Sequence, residues 1–228
     1  MRIAKMMTTV LNLVAPIRCS GCHLPDVLLC VLCRDTMTHS SAHELRPIAV
    51  RGSRIPVISG GIYDGVRRSV VLDFKNGHRQ RLAPILLASV MTENQPGKVI
   101  RMSGITFVPV PPSLRGSWNR GYSPSLLLAK VLSGHSASRT PRAIVRARIT
   151  PHKILRPTPS SRSRGERLRR SARDYRVGWA SEVGSVVVVD DVMATGATVR
   201  AVCESLSLAG YTPRAVVVAA HVPDFVTD

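Results

Sequence analysis

Aromatic side chains are scarce in this chain of 228 residues: three Phe, four Tyr and two Trp amount to 4%. Binding of single-stranded nucleic acid by base stacking therefore has little to work with. Acidic residues are also few, 14 against 32 Lys and Arg, which leaves a net charge of +18. No uninterrupted apolar run reaches the roughly 18 residues that would suggest a membrane span, so no span is expected. The opening stretch MRIAKMMTTVLNLVAP is not expected to act as a secretory leader, because Lys5, Thr8, Thr9 and Asn12 break its apolar core and Ala-x-Ala-type cleavage chemistry is missing. It reads as a short amphipathic helix with Met7, Val10, Leu11 and Val14 on one face, and a cytoplasmic protein is expected. There is no His-Glu-x-x-His motif and no Ser/His/Asp arrangement, and the seven histidines are scattered. Metalloprotease-type and serine-hydrolase-type chemistry are thereby set aside.

The length suits one sizeable α/β domain with a small additional module, and 44% hydrophobic residues is ordinary for a globular chain. The positive charge attracts phosphates, whether on nucleic acids or on metabolites. It is unevenly spread: residues 139–176 hold twelve Arg and one Lys, opposed only by Glu166 and Asp174. Much of a charge run of this kind is simply solvated surface.

Four of the five cysteines form two C-x-x-C pairs, Cys19 with Cys22 and Cys30 with Cys33. Each pair can place two thiolates on one knuckle, and two knuckles complete a tetrahedral S₄ site that favours Zn²⁺. Gly21 suits the turn of the first knuckle. Disulfides would not persist in a reducing cytoplasm, and a redox C-x-x-C normally stands alone. A structural zinc is therefore expected, with His23 as a bystander and Cys203 as a core residue on a helix face.

Residues 34–55 are polar and without clear periodicity, and read as a linker. PVISGGIYDG then reads as a strand and turn, and VRRSVVLDFKNGHR as a helix with Val66, Val70 and Phe74 on one face, stopping at Asn76-Gly77. QRLAPILLASVM makes a second helix, with Pro84 near its first turn. From about residue 105, strands (ITFVPVPP, RAIVRAR, YRVGW, SVVVVDD, RAVVVAAHV) alternate with helices or long crossovers. This pattern indicates a parallel sheet with helices on both faces. The basic stretch 149–172 carries Pro151, Pro157 and Pro159 and no apolar period, as functional or unstructured connections do.

Ligands of such sheets sit beyond the carboxyl ends of the strands. There stand Asp190 and Asp191, followed by Ala194-Thr195-Gly196-Ala197-Thr198 at the opening of a helix. The helix start and the threonine hydroxyls suit a phosphate. The two carboxylates would repel that phosphate, but can accept hydrogen bonds from a neighbouring diol or sense a ligand-bound Mg²⁺. Ribose 5-phosphate carries both halves of such a ligand. A lone Asp would read as an ordinary cap; two acids followed by T-G-x-T are more specific.

This segment resembles the signature with which type I phosphoribosyltransferases bind 5-phosphoribosyl 1-pyrophosphate (PRPP), and Val187 through Thr198 match every position of it. FVPVPPSLRGSWNRGYSPS, residues 107–125, is similar to the pyrophosphate-loop region of one branch of those proteins. With the cysteine knuckles, Tyr63-x-Gly65-x-x-Arg68 and Phe74-Lys75-x-Gly77 ahead of these motifs, the chain resembles the ComF competence family over nearly its whole length. The resemblance implies an N-terminal helix, zinc module and linker over 1–45. It implies a phosphoribosyltransferase-like domain over 46–228, with a hood-like part at about 55–98. Asp190 and Asp191 would hold the ribose hydroxyls and residues 194–198 the 5-phosphate. Pro111, Pro112, Arg115 and Arg120 would belong to the pyrophosphate loop. Arg162, Arg164 and Arg167 would lie on a flexible loop closing over Mg-PRPP, where Ser160-Ser161 and Arg169-Arg170 stand in place of the Gln and Asn of many members. The implied activity is phosphoribosyl transfer to an unidentified acceptor. The alternative is a non-catalytic DNA-uptake role, with single-stranded DNA and competence proteins as partners and the pocket as a nucleotide or PRPP sensor.

Overall fold

The structure, a computed structural model, describes residues 17–38, 43–76, 79–91, 104–112, 121–134, 145–147, 171–178 and 184–223. After the cysteine knuckles come α1 (Val31–Thr38), β1 (His43–Val50), β2 (Ser53–Ser59) and α2 (Gly65–Asn76). A single 3₁₀ turn leads into α3 (Ala83–Met91), followed by β3 (Thr106–Pro109), α4 (Pro124–Gly134), β4 (Val145–Ala147) and β5 (Tyr175–Val177). The chain closes with β6 (Ser185–Met193), α5 (Ala197–Leu208) and β7 (Thr212–His221). Five strands form one sheet in the order β1-β2-β7-β6-β3. The β2–β7, β7–β6 and β6–β3 pairs are parallel, and β1 is an antiparallel edge.

The valine run of β6 explains its central place. Val186, Val188, Val216 and Val218 pack with α5 on one face, while Val187, Val189, Val217 and Ala219 pack with α1, α2, α3 and α4 on the other. A strand covered on both faces has no use for alternating polar residues. The expected helices on both faces of a largely parallel sheet are thus observed. Cys203, expected in the core, is fully buried within α5, and burial pushes its thiol up to about 12.

Several expectations need correction. The stretch 34–55 is no linker: it holds the end of α1, all of β1 and the first residues of β2. Its period-2 pattern is hidden by a register shift between Leu45 and Ile48, so Leu45, Ile48 and Val50 face inward although Arg46 and Pro47 interrupt the count. A bulge on an edge strand tolerates that proline. The boundary expected between residues 45 and 46 therefore falls inside β1, and Cys19, Leu29, Cys33 and Met37 join the same core as the sheet. β2, assigned to the hood-like part, pairs with β7 instead, Val57 opposite Val216. β4 and β5 do not enter the main sheet either. They pair with each other in an antiparallel ribbon, burying Val145 and Tyr175 and exposing Arg146 and Arg176. The expected helix at 1–16 and the basic connection from 149 to 170 lie outside the described residues. Among the described residues no helix is long and apolar enough to cross a membrane.

At the carboxyl edge, β7 ends in a buried histidine. His221 Nδ1 lies 2.8 Å from Ser59 Oγ, and the His43 ring packs edge-on with centroids 5.4 Å apart. The Ser59 hydroxyl donates to the Gly61 carbonyl, so the His221 tautomer that fits carries its proton on Nδ1. Burial holds His221 below its ordinary value of 6.5; neighbouring His43 and Arg67 add to this, while a Gly61 backbone hydrogen bond and Asp64 oppose it. A base whose folded pKa is depressed stabilises the fold above its unfolded value and loses that contribution as pH falls. Unfolding free energy, measured by denaturant titration, is expected to drop as pH is lowered below 6.5. His221→Asn is expected to flatten this segment of the profile; an equally steep profile in the variant would contradict the assignment.

Candidate functional site

The carboxyl ends of β2, β3, β6 and β7 share one edge of the sheet. β6 does not stop at its acids, as its sequence suggested, but stays paired with β7 as far as Met193 opposite His221. Asp190 and Asp191 thus lie in the last turn-free stretch of the strand, both half-buried. Each folds back onto the next amide: Asp190 Oδ1 accepts the Asp191 N–H at 2.8 Å, and Asp191 Oδ1 accepts the Val192 N–H at 2.7 Å. Each carboxylate is thereby tied to the backbone amide that follows it. Strand alternation puts Asp191 on the same face as Val187 and Val189, the face covered by α2.

There Asp191 meets a partner that sequence reasoning missed. Lys75 Nζ, in the last turn of α2, lies 3.0 Å from Asp191 Oδ1. The two residues are 116 positions apart, and nothing in local spacing announces the pair. With its charge balanced this way, Asp191 suits a hydroxyl donor better than direct ligation of Mg²⁺.

The turn after β6 brings Ala194, Thr195, Gly196, Ala197 and Thr198 together at the start of α5. Gly196 is buried and takes the left-handed conformation at φ 67°, where a side chain would be strained. Among the described residues, the N-cap Gly196 offers no side-chain cap, and the Thr195 hydroxyl accepts the Ala197 N–H at 3.5 Å. Amides at such a helix start can meet water or an anion. Val110 N–H donates to the Val189 carbonyl at 2.8 Å. That bond brings Pro111 and Pro112, both half-buried, beside the strand position just before Asp190. Arg115, Arg120, Arg162, Arg164 and Arg167 lie outside the described residues.

The second centre is the cysteine cluster. The sulfurs of Cys19, Cys22, Cys30 and Cys33 all lie within 4.8 Å of one another, and those of Cys22 and Cys30 are 3.6 Å apart. A tetrahedral Zn²⁺ with bonds of about 2.3 Å needs sulfurs about 3.8 Å apart, so the set fits such an ion. Burial tends to raise the Cys19 thiol, but amide hydrogen bonds from Cys22, Cys30 and Gly21 overcome it and bring it down to about 6. Cys33, buried beside the other sulfurs, is pushed up. His23 is not part of this cluster and sits exposed in a left-handed turn. Gly21 is needed for space rather than for an unusual backbone: a Cβ there would come within 2.6 Å of Cys33 Sγ and 3.0 Å of Val66 Cγ1.

No protein-family model matches the chain, and no curated protein matches it.

Elemental analysis of the purified protein is expected to find about one zinc per chain, as a closed four-sulfur site requires. Gly21→Ala is expected to lower that content by displacing Cys33. A metal-free wild type that remains folded, or full zinc in Gly21→Ala, would contradict this picture.

Proposed function

We propose that the chain is a ComF-like protein with a type I phosphoribosyltransferase-like domain, binding Mg-PRPP or a related ribose 5-phosphate ligand at the carboxyl edge of its sheet. The observation that carries the reading is one juxtaposition. Two half-buried carboxylates stand near the end of β6, each accepting the next amide N–H, and the glycine-led start of α5 follows within a few residues. A carboxylate accepts hydrogen bonds from a diol and a helix start accepts a phosphate. Ribose 5-phosphate offers both groups at the separation of one sugar ring.

In this reading Asp190 and Asp191 accept hydrogen bonds from the ribose hydroxyls, while the amides and hydroxyls of residues 194–198 hold the 5-phosphate. Pro111 and Pro112 border the pyrophosphate, and Arg115, Arg120, Arg162, Arg164 and Arg167 are the residues proposed to neutralise its charge. Bound together with PRPP, Mg²⁺ would supply charge neutralisation on the pyrophosphate. Displacement at the anomeric carbon passes through an oxocarbenium-like state, as glycoside cleavage does. The chain's own groups contribute by orienting the sugar and excluding water rather than by shuttling protons. The acceptor that receives the phosphoribosyl group is a separate determinant. The cysteine module, in this proposal, holds a structural zinc in a cytoplasmic protein whose thiols stay reduced.

The net charge of +18 favours a second reading, in which the protein binds single-stranded DNA and competence partners during DNA uptake and uses the pocket as a sensor. Affinity for an oligonucleotide would then fall steeply and log-linearly with salt; a flat response would count against it.

PRPP binding and acceptor-dependent pyrophosphate release, measured across a panel of nucleobases, test the first reading. Asp190→Asn and Asp191→Asn are each expected to weaken PRPP binding about ten- to a hundredfold, the worth of one or two hydrogen bonds to a charged group. Unchanged binding in both variants would exclude the site. Binding without release under any acceptor would favour the sensor over the enzyme.

A further inference from the structure

We infer that Lys75 is a positioning residue of the phosphoribosyl site: its ammonium offsets the charge of Asp191, so that two adjacent carboxylates can stand next to an anionic ligand. This inference rests on the ribose-phosphate reading above and adds a residue to it.

Paired acids are well suited to a diol and poorly suited to the phosphate attached to it. Two negative charges at the end of β6 raise the cost of bringing a phosphate dianion to residues 194–198, and half-burial makes that repulsion less screened than on an open surface. Lys75 Nζ sits 3.0 Å from Asp191 Oδ1, with 23% and 15% of the two side chains exposed. The pair therefore removes one net negative charge from the end of β6. It also fixes Asp191 Oδ1, which accepts the Val192 N–H as well, and so leaves the other oxygen's direction defined for a hydroxyl donor.

Lys75 is itself held in place by the way α2 is anchored. Near the first turn, the Arg67 guanidinium donates to the Met37 carbonyl at 2.7 Å and to the Ala219 carbonyl at 3.3 Å. Just past the last turn, Arg79 donates to Ser20 Oγ at 2.9 Å and to the Arg18 carbonyl, and pairs with Asp73 at 3.2 Å. Phe74, the neighbour of Lys75, is fully buried against the sheet. A helix tied at both ends to the cysteine module presents its last lysine to β6 with little freedom to move away.

The test is calorimetric titration of the full chain with ribose 5-phosphate. It uses wild type, Lys75→Arg, Lys75→Met, Asp191→Asn and the double variant Lys75→Met/Asp191→Asn, with thermal unfolding to verify that each is folded. Lys75→Gln replaces Lys75→Met if the latter does not fold. Lys75→Met is expected to weaken binding about tenfold or more, as truncating one member of a half-buried charge pair does. Lys75→Arg is expected to stay within about threefold of wild type, since it keeps the charge. In the Asp191→Asn background, where the carboxylate that Lys75 pairs with is gone and only the charge of Asp190 remains, losing the lysine is expected to cost clearly less than in wild type, under about threefold. An equal loss in both backgrounds would make Lys75 a direct phosphate ligand and overturn the inference, as would wild-type affinity in Lys75→Met. Absence of ribose 5-phosphate binding by wild type would remove the site reading itself and this inference with it, whereas the other contrary results leave that reading standing.

Discussion

Burial of the sheet on both faces is the constraint from which the rest of this structure follows. Val186 through Val189 and Ala215 through Ala220 have essentially no contact with solvent. A strand in such a position can carry a polar group only where the helical layers end. In β6 that place is Asp190 and Asp191, and the chain spends its first carboxylates there as soon as the cover thins. The same geometry gathers the ends of β2, β3 and β7 at one edge, so the chemistry of the molecule is concentrated where packing stops supporting apolar residues.

The cysteine module is tied to this arrangement rather than appended to it. Gly21 lies against Cys33 and Val66, Met37 lends its carbonyl to Arg67, and Arg79 reaches back to the first knuckle. Cys19 and Cys33 share a core with the α2–α3–α4 face of the sheet. A metal held by the four sulfurs would thus stabilise the layer that carries Lys75, and through it the setting of Asp191. A buried guanidinium without a carboxylate in hydrogen-bond contact costs desolvation: burial lowers Arg67 to about 10, with Asp64 opposing. Its hydrogen bonds to two carbonyls from distant segments offset part of that cost and fix those segments to one another.

Much of this was legible in the sequence, for identifiable reasons. The valine runs announced β6 and β7 because strands covered on both faces need no alternation, and Asn76 marked the end of α2 through an ordinary stop signal. The C-x-x-C pairs declared their cluster through ligand spacing alone. What stayed hidden was non-local or irregular. β1 looked like a linker because a bulge at Arg46 and Pro47 breaks its period. β2 could not be assigned to the main sheet, since its partner β7 lies over 150 residues away. β4 and β5, three residues each, are too short to declare which sheet they join. The ion pair between Lys75 and Asp191 belongs to the same class: each residue stands in a motif of its own segment, but nothing in either segment announces the pairing, and only the packing of α2 on β6 brings them together.

The central claim is that the end of β6 and the beginning of α5 form one ligand site with a sugar half and a phosphate half. Crystals soaked with ribose 5-phosphate test it most directly. The expected density places the sugar hydroxyls within hydrogen-bond distance of the Asp190 and Asp191 carboxylates and the phosphate on the amides between Thr195 and Thr198. A phosphate bound only to arginines elsewhere on the surface, with both aspartates unengaged, would contradict the account.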